Sequence, residues 1–105
     1  MSGVGLVVRF ELRDEDAATR FDALTEATVA AIRRTEPGTL VYLVHRVPHE
    51  PLMRVFYEWY ADRPAFDAHE RQPHVRTFLR QRDAYLTNLE VTFLLAPYGK
   101  GPGGD

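Results

Sequence analysis

The 105 residues contain no cysteine, which excludes disulfides, thiol nucleophiles and thiolate metal sites. Lysine is nearly absent: Lys100 is the only one, and the net charge is −2. There is no basic stripe, so a nucleic-acid partner is not expected. No apolar run approaches the ~18–20 residues of a membrane span, so no membrane partner is expected either. The opening MSGVGLVVRFELRDED has no basic n-region, and Arg9 and Glu11 break its apolar run. A secretion signal is therefore not expected, and a cytoplasmic protein follows as the default. Gly-rich phosphate loop, dinucleotide fingerprint and G-x-S-x-G elbow are all missing, so no nucleotide cofactor is advertised.

What is present reads as one domain. Hydrophobic residues make up 45% and charged residues 27%, an ordinary globular balance. So short a chain builds only a small core, and oligomerisation is a common remedy. Residues 3 to 12, GVGLVVRFEL, read as a strand with Val4, Leu6, Val8 and Phe10 on one face. A long helix is expected from Arg13 to the stop at Pro37-Gly38, capped by Asp14 or Asp16. Phe21, Leu24, Thr28 and Ile32 form its apolar stripe. Residues 39–47 and 53–61 read as an antiparallel hairpin around a turn holding Pro48 and Pro51. Asp62 caps a short helix with Pro64 in its first turn, and Pro73 restarts a helix that runs to about Leu86. Residues 89–97 are the last strand. The domain thus spans 1–97, and the Gly/Pro-rich tail 98–105 is expected to be flexible. The order β-α-β-β-α-β specifies an α+β, ferredoxin-like fold: a four-stranded antiparallel sheet with helices on one face.

The second sheet face should then alternate to polar, but the hairpin does not comply. Val41, Leu43 and His45 lie opposite Tyr42 and Val44, and Val55, Tyr57 and Trp59 lie opposite Phe56 and Tyr60. Both faces are largely apolar, so both are expected to be covered. A second copy of the chain is the simplest cover, giving a homodimer through the open sheet face.

The stretch AFDAHERQPHVRTF, residues 65–78, places His69 and His74 on either side of Pro73. His69 falls near the end of one helix, where the dipole favours a charged imidazole. His74 falls in the first turn of the next, where it favours a neutral one. Such a pair suits proton transfer near neutral pH. On spacing alone the two also fit exposed positions in a polar linker. Metal binding is disfavoured, because Pro73 interrupts helical i,i+4 pairing and a third ligand is missing. Glu58 sits mid-strand among aromatics, where a carboxylate must be paired, wet or functional. Pairing with Arg46 or Arg54 is the plain expectation. Tyr42, Tyr57, Tyr60, Trp59 and Phe78 could line an aromatic pocket or simply pack.

At EPGTLVYLVHRVP, FYEWYADRPAFDAH and QPHVRTF the chain resembles the antibiotic biosynthesis monooxygenase family, also called quinol monooxygenases. The resemblance runs from about Val4 to Pro97. It implies a ferredoxin-like subunit in a dimeric α/β barrel. It also implies oxidation of a phenolic, quinol or polyketide-derived aromatic substrate by O2, with no cofactor and no metal. His69 and His74 match the family's motif histidines near the pocket mouth. By this resemblance His69, His74 and Glu58 are the expected catalytic residues. Tyr42, Tyr60, Phe78, His45 and Arg46 are the expected substrate contacts. A haem-degrading branch is set aside: the first strand has no Asn, the only one being Asn88, and the short helix carries His69 in place of Trp. The alternative is a non-catalytic small-molecule-binding homodimer of the same fold.

Overall fold

A computed structural model of the chain describes residues 3–101. Strand β1 (Val4–Leu12) leads into helix α1 (Glu15–Thr35), followed by the hairpin β2 (Thr39–Val47) and β3 (Glu50–Tyr60). Helices α2 (Arg63–Arg71) and α3 (Pro73–Arg82), a single 3-10 turn and β4 (Leu86–Leu94) complete the order. The four strands form one antiparallel sheet in the order β2-β3-β1-β4. This is the expected ferredoxin-like α+β fold, with its second helical segment divided in two. Gln72 is extended at φ −66°, ψ 141°, as a residue before proline must be, so α2 ends there and Pro73 opens α3.

Each helix starts where its sequence directs. The Asp14 carboxylate accepts from the Ala17 N–H at 2.8 Å, and Glu15 and Asp16 add negative charge to the first turn of α1. Asp62 does the same for α2 through the Ala65 N–H at 2.8 Å. At the far end of α1, the chain turns through Glu36, Pro37 and Gly38 into β2. A Cβ on Gly38 would stand 2.7 Å from the Ala65 Cβ, so α2 packs directly on this backbone. That contact brings the last turn of α2 up against Glu36.

The strand edges differ from expectation in two places. The hairpin turn is only Pro48-His49, with His49 at φ 65°, and Pro51 lies inside the start of β3. The last strand begins at Leu86 and ends at Leu94, not Pro97. Leu94 already pairs with Gly5, one residue from the start of β1, so the strand has almost nothing left to pair with beyond it. Within the expected tail, residues 98–101 carry neither helix nor strand, and 102–105 lie outside the described residues.

The core fills the helix-covered face. Leu6, Val8, Phe10 and Leu12 of β1 point into it, as do Phe56 and Tyr60 of β3. Phe10 meets Phe56 at 4.6 Å and Phe21 at 5.0 Å between ring centroids. Contacts of this kind contribute about 0.5–1.5 kcal/mol each beyond the area they bury. On the opposite face the Trp59 indole lies across β1, where a Cβ on Gly5 would come within 2.8 Å of the ring. Glycine there lets the ring lie against bare backbone.

Candidate functional site

The two histidines of the opening motif converge on a third residue, Glu36. His69 Nδ1 lies 2.6 Å from Glu36 Oε1, and His74 Nε2 lies 2.5 Å from Glu36 Oε2. The Thr39 hydroxyl donates to Oε1 at 2.7 Å. The α1–β2 turn supplies the carboxylate, the last turn of α2 the first imidazole, and the first turn of α3 the second. Pro73 therefore does more than interrupt a helix. It folds the chain so that both imidazoles reach one carboxylate from different sides.

Burial pushes the Glu36 carboxyl upward, but the hydrogen bonds from Thr39, His69 and His74 outweigh it and leave it below the usual range. Glu36 is thus anionic, and the nitrogen of each imidazole that faces it carries the hydrogen. Burial lowers the His69 imidazole, and the bond to Glu36 offsets this only in part. This corrects the dipole argument: at the end of a helix an imidazole should charge more easily, but at 5% exposure desolvation prevails. A neutral His69 that donates from Nδ1 has a free lone pair on Nε2.

His69 lines a cavity of about 140 Å³ between the sheet and helices α2 and α3. Its ring lies 5.6 Å from the Tyr42 ring and 5.0 Å from the Tyr60 ring. Phe10, Phe56 and Phe78 supply apolar wall, and Glu58, Glu70 and Arg82 supply polar groups. Glu58 is 6% exposed, and burial raises its carboxyl to about 7 even though the Tyr60 hydroxyl donates to it at 2.6 Å. Arg82 places its guanidinium 5.9 Å from the Phe10 ring centroid. Its buried Nε makes no hydrogen bond among the described residues, and Asp83 Oδ1 stands 3.5 Å away.

The structure thus brings Tyr42, Glu58, His69 and Phe78 to one cavity. Tyr60 stands behind the wall with its hydroxyl committed to Glu58, and His74 reaches the cavity only through Glu36. Two expected contacts lie elsewhere. His45 pairs with Val55 on the opposite sheet face and is exposed. Arg46 is on the helix-covered face but turns to Asp22 of α1, at 3.0 Å. The expected pairing of Glu58 with Arg46 or Arg54 is also corrected. Arg54 is 2% exposed and takes both Asp22 oxygens, at 2.9 and 3.0 Å, because α1 offers it a carboxylate directly above.

Glu36 and Arg82 were not singled out from the sequence as site residues. Glu36 did carry a signal: a carboxylate just past a helix C-terminus opposes the helix dipole and needs another reason to be there. Among the described residues, no group of three or more His, Asp or Glu side chains is arranged to hold a metal ion.

The family model for antibiotic biosynthesis monooxygenase matches residues 3–81. Among solved structures, Rv0793 from Mycobacterium tuberculosis is similar at TM-score 0.85 and 29% identity, over 95% of this chain and 100% of that one. SnoaB, a cofactor-independent oxygenase from Streptomyces nogalater, is similar at TM-score 0.79 and 22% identity, over 94% and 97%. PA3566 from Pseudomonas aeruginosa is similar at TM-score 0.80 and 23% identity, over 93% and 97%. No curated protein matches the sequence.

Proposed function

The chain belongs to the antibiotic biosynthesis monooxygenase family, and from that premise we propose that it is a cofactor-independent monooxygenase of a phenolic, quinol or polyketide-derived aromatic substrate. The observation that carries this reading is the His69 imidazole. It is held by Glu36 at Nδ1 and lines an aromatic-walled cavity, with its other nitrogen free of that bond.

A phenol passes its proton to His69 Nε2, and Glu36 stabilises the imidazolium through the Nδ1–H. The phenolate gives one electron to O2, leaving a phenoxyl radical and superoxide. These recombine at a ring carbon that bears hydrogen, forming a C–O bond. The peroxide takes the proton back from His69. Its O–O bond then breaks with loss of water, and the ring carbon becomes a carbonyl. Phenol and O2 give quinone and water: the substrate loses four electrons and O2 gains four. Arg82 supplies positive charge to the phenolate from the same cavity. Glu58 is a second proton-handling group on the sheet side of the cavity.

The reading includes a homodimer through the open sheet face. Leu43 is 51% exposed there, beside Val41, Tyr57 and Trp59. Sedimentation equilibrium at micromolar concentration should give twice the 12.0 kDa chain mass. A species of single mass would remove this part of the reading.

Oxygen uptake by chelator-treated protein tests the activity, over a panel of phenols, hydroquinones and anthrones. Uptake of one O2 per quinone formed is expected with at least one of them. Phenols that bind without any uptake would make the chain a non-catalytic small-molecule binder instead.

A further inference from the structure

The cavity at His69 is small, and one of its lining residues also borders a larger space. Its volume is about 140 Å³, whereas a groove between α1 and β2 measures about 570 Å³. A cavity of ~150 Å³ takes one benzene ring, and drug-sized ligands need ~300 Å³ or more. Tyr42 borders both spaces. Phe93, on the β4 side of the cavity, is 60% exposed, whereas Phe10, Phe56 and Phe78 are pinned, at most 3% exposed and packed on one another. Tyr42 is different. It lies on edge strand β2, and its hydroxyl makes no hydrogen bond among the described residues. Its ring packs on Phe56, at 5.8 Å, and on His69, at 5.6 Å. Beyond it Val29, Ala30 and Val44 give the groove an apolar strip among the charged side chains of Asp22, Glu26, Arg33 and Arg46, and the buried Thr25 hydroxyl there has no hydrogen-bond partner among the described residues.

We propose that the site accepts single-ring phenols, and that Tyr42 is the specificity-determining residue that excludes fused-ring phenols by walling the cavity off from the α1–β2 groove. The inference rests on the cavity at His69 being the substrate site. Removing the Tyr42 side chain joins the two spaces. A second and third ring then extend toward Val29 while the phenol oxygen stays at His69. The Thr25 hydroxyl gives a polar substituent on the distant ring a partner.

Anaerobic calorimetric titration with phenol, 2-naphthol and 9-phenanthrol tests this, since it reads binding and not turnover. The wild type should bind phenol at least about tenfold more tightly than either fused-ring probe, the scale on which pocket size discriminates. Tyr42→Ala should reverse that order, and Tyr42→Phe should keep it. Should Tyr42→Ala fail to fold, Tyr42→Leu leaves an apolar side chain in place and should shift the order in the same direction. Val29→Trp on the opened background should restore exclusion by refilling the groove. The proposal is overturned if the wild type binds 2-naphthol as well as phenol. It is equally overturned if the truncated variants keep the wild-type order, or if phenol binds to none of them. Oxygen uptake with fused-ring phenols by the wild type would sink the size rule and leave the oxygenase reading intact. Phenol binding in the expected order without uptake would do the reverse.

Discussion

Two carboxylates lie under the helix-covered face of the sheet, and their partners set them apart. Asp22 on α1 is gripped by Arg54, through both of its oxygens, and by Arg46. Glu36, in the turn that follows α1, is gripped by two imidazoles and a hydroxyl. A guanidinium never gives up its proton in this setting, so the Asp22 cluster is fixed in charge and can only hold structure. An imidazole titrates near neutrality, so the Glu36 cluster can pass a proton and still keep its geometry. Both lie on one sheet face, Glu36 buried and Asp22 half-buried. What separates a clamp from a candidate catalytic centre is whether the partner can change protonation, and whether it touches a cavity. Of the two clusters, only Glu36 has a partner that lines the cavity at His69.

The largest expected effect falls on the catalytic side of this comparison. His69→Ala should lower kcat/KM for an accepted phenol by ~10²–10⁴-fold, the usual contribution of a positioned general base. The wild-type rate should rise with pH through an apparent pKa below 6.5, because His69 acts in its neutral form and burial lowers it. A His69→Ala enzyme with full activity would make the imidazole a packing residue and remove the distinction between the clusters.

The structural side should respond in the opposite way. Arg54→Ala leaves Asp22 and two backbone carbonyls without their buried cation, and such losses cost about 3–5 kcal/mol. Denaturant titration should show that loss. Under conditions where the variant is folded, the KM for phenol should not change. Arg46→Ala, which removes an exposed side chain, should cost less than about 1 kcal/mol.

The fold was largely legible in the sequence, because its signals are local. Asp14, Asp62, Pro64, Pro73 and the alternation of Leu6, Val8 and Phe10 each report on their own few residues. The site was legible only in part. His69, Glu58, Tyr42 and Phe78 could be placed from the resemblance and from the oddity of polar groups among aromatics. Pairings across the fold could not. Nothing near residue 36 says that its carboxylate meets residues 33 and 38 positions further on. Arg46 was expected as a substrate contact from the resemblance, but Asp22 on another element captures it. His45 fails for a simpler reason: alternation along β2 turns it to the other face from Tyr42.

Glu36→Gln probes the link that the sequence concealed. The amide keeps the shape and removes the charge, so His69 should remain buried while its imidazole becomes harder still to protonate. Proton NMR titration of the ring should show its pKa falling further below that of the wild type. Activity should fall by roughly 10–100-fold, less than for His69→Ala, because the base remains and only its orientation and charge support are weakened. An unchanged His69 titration would mean that Glu36 serves the fold alone.

The last effect concerns Glu58, and its sign runs against habit. Burial raises its carboxyl to about 7 in the folded chain, from an ordinary 4.5. The folded state therefore holds the proton more tightly than the unfolded one. Stability from this group is complete below about 4.5, declines as pH rises toward 7, and stays level above it. The Tyr60 hydroxyl and Arg82 ease the ionised form, while Glu70 and Glu36 oppose it. A shift of this size corresponds to roughly 3 kcal/mol at pH 8. Glu58→Gln removes the ionisation and keeps an oxygen for Tyr60, so the variant should be more stable than the wild type at pH 8. At pH 4.5 the two should nearly coincide. Thermal unfolding at the two pH values decides it. A variant that is less stable at pH 8 would mean that the ionised carboxylate is stabilised by its surroundings, and that the cavity is wetter around Glu58 than its burial indicates.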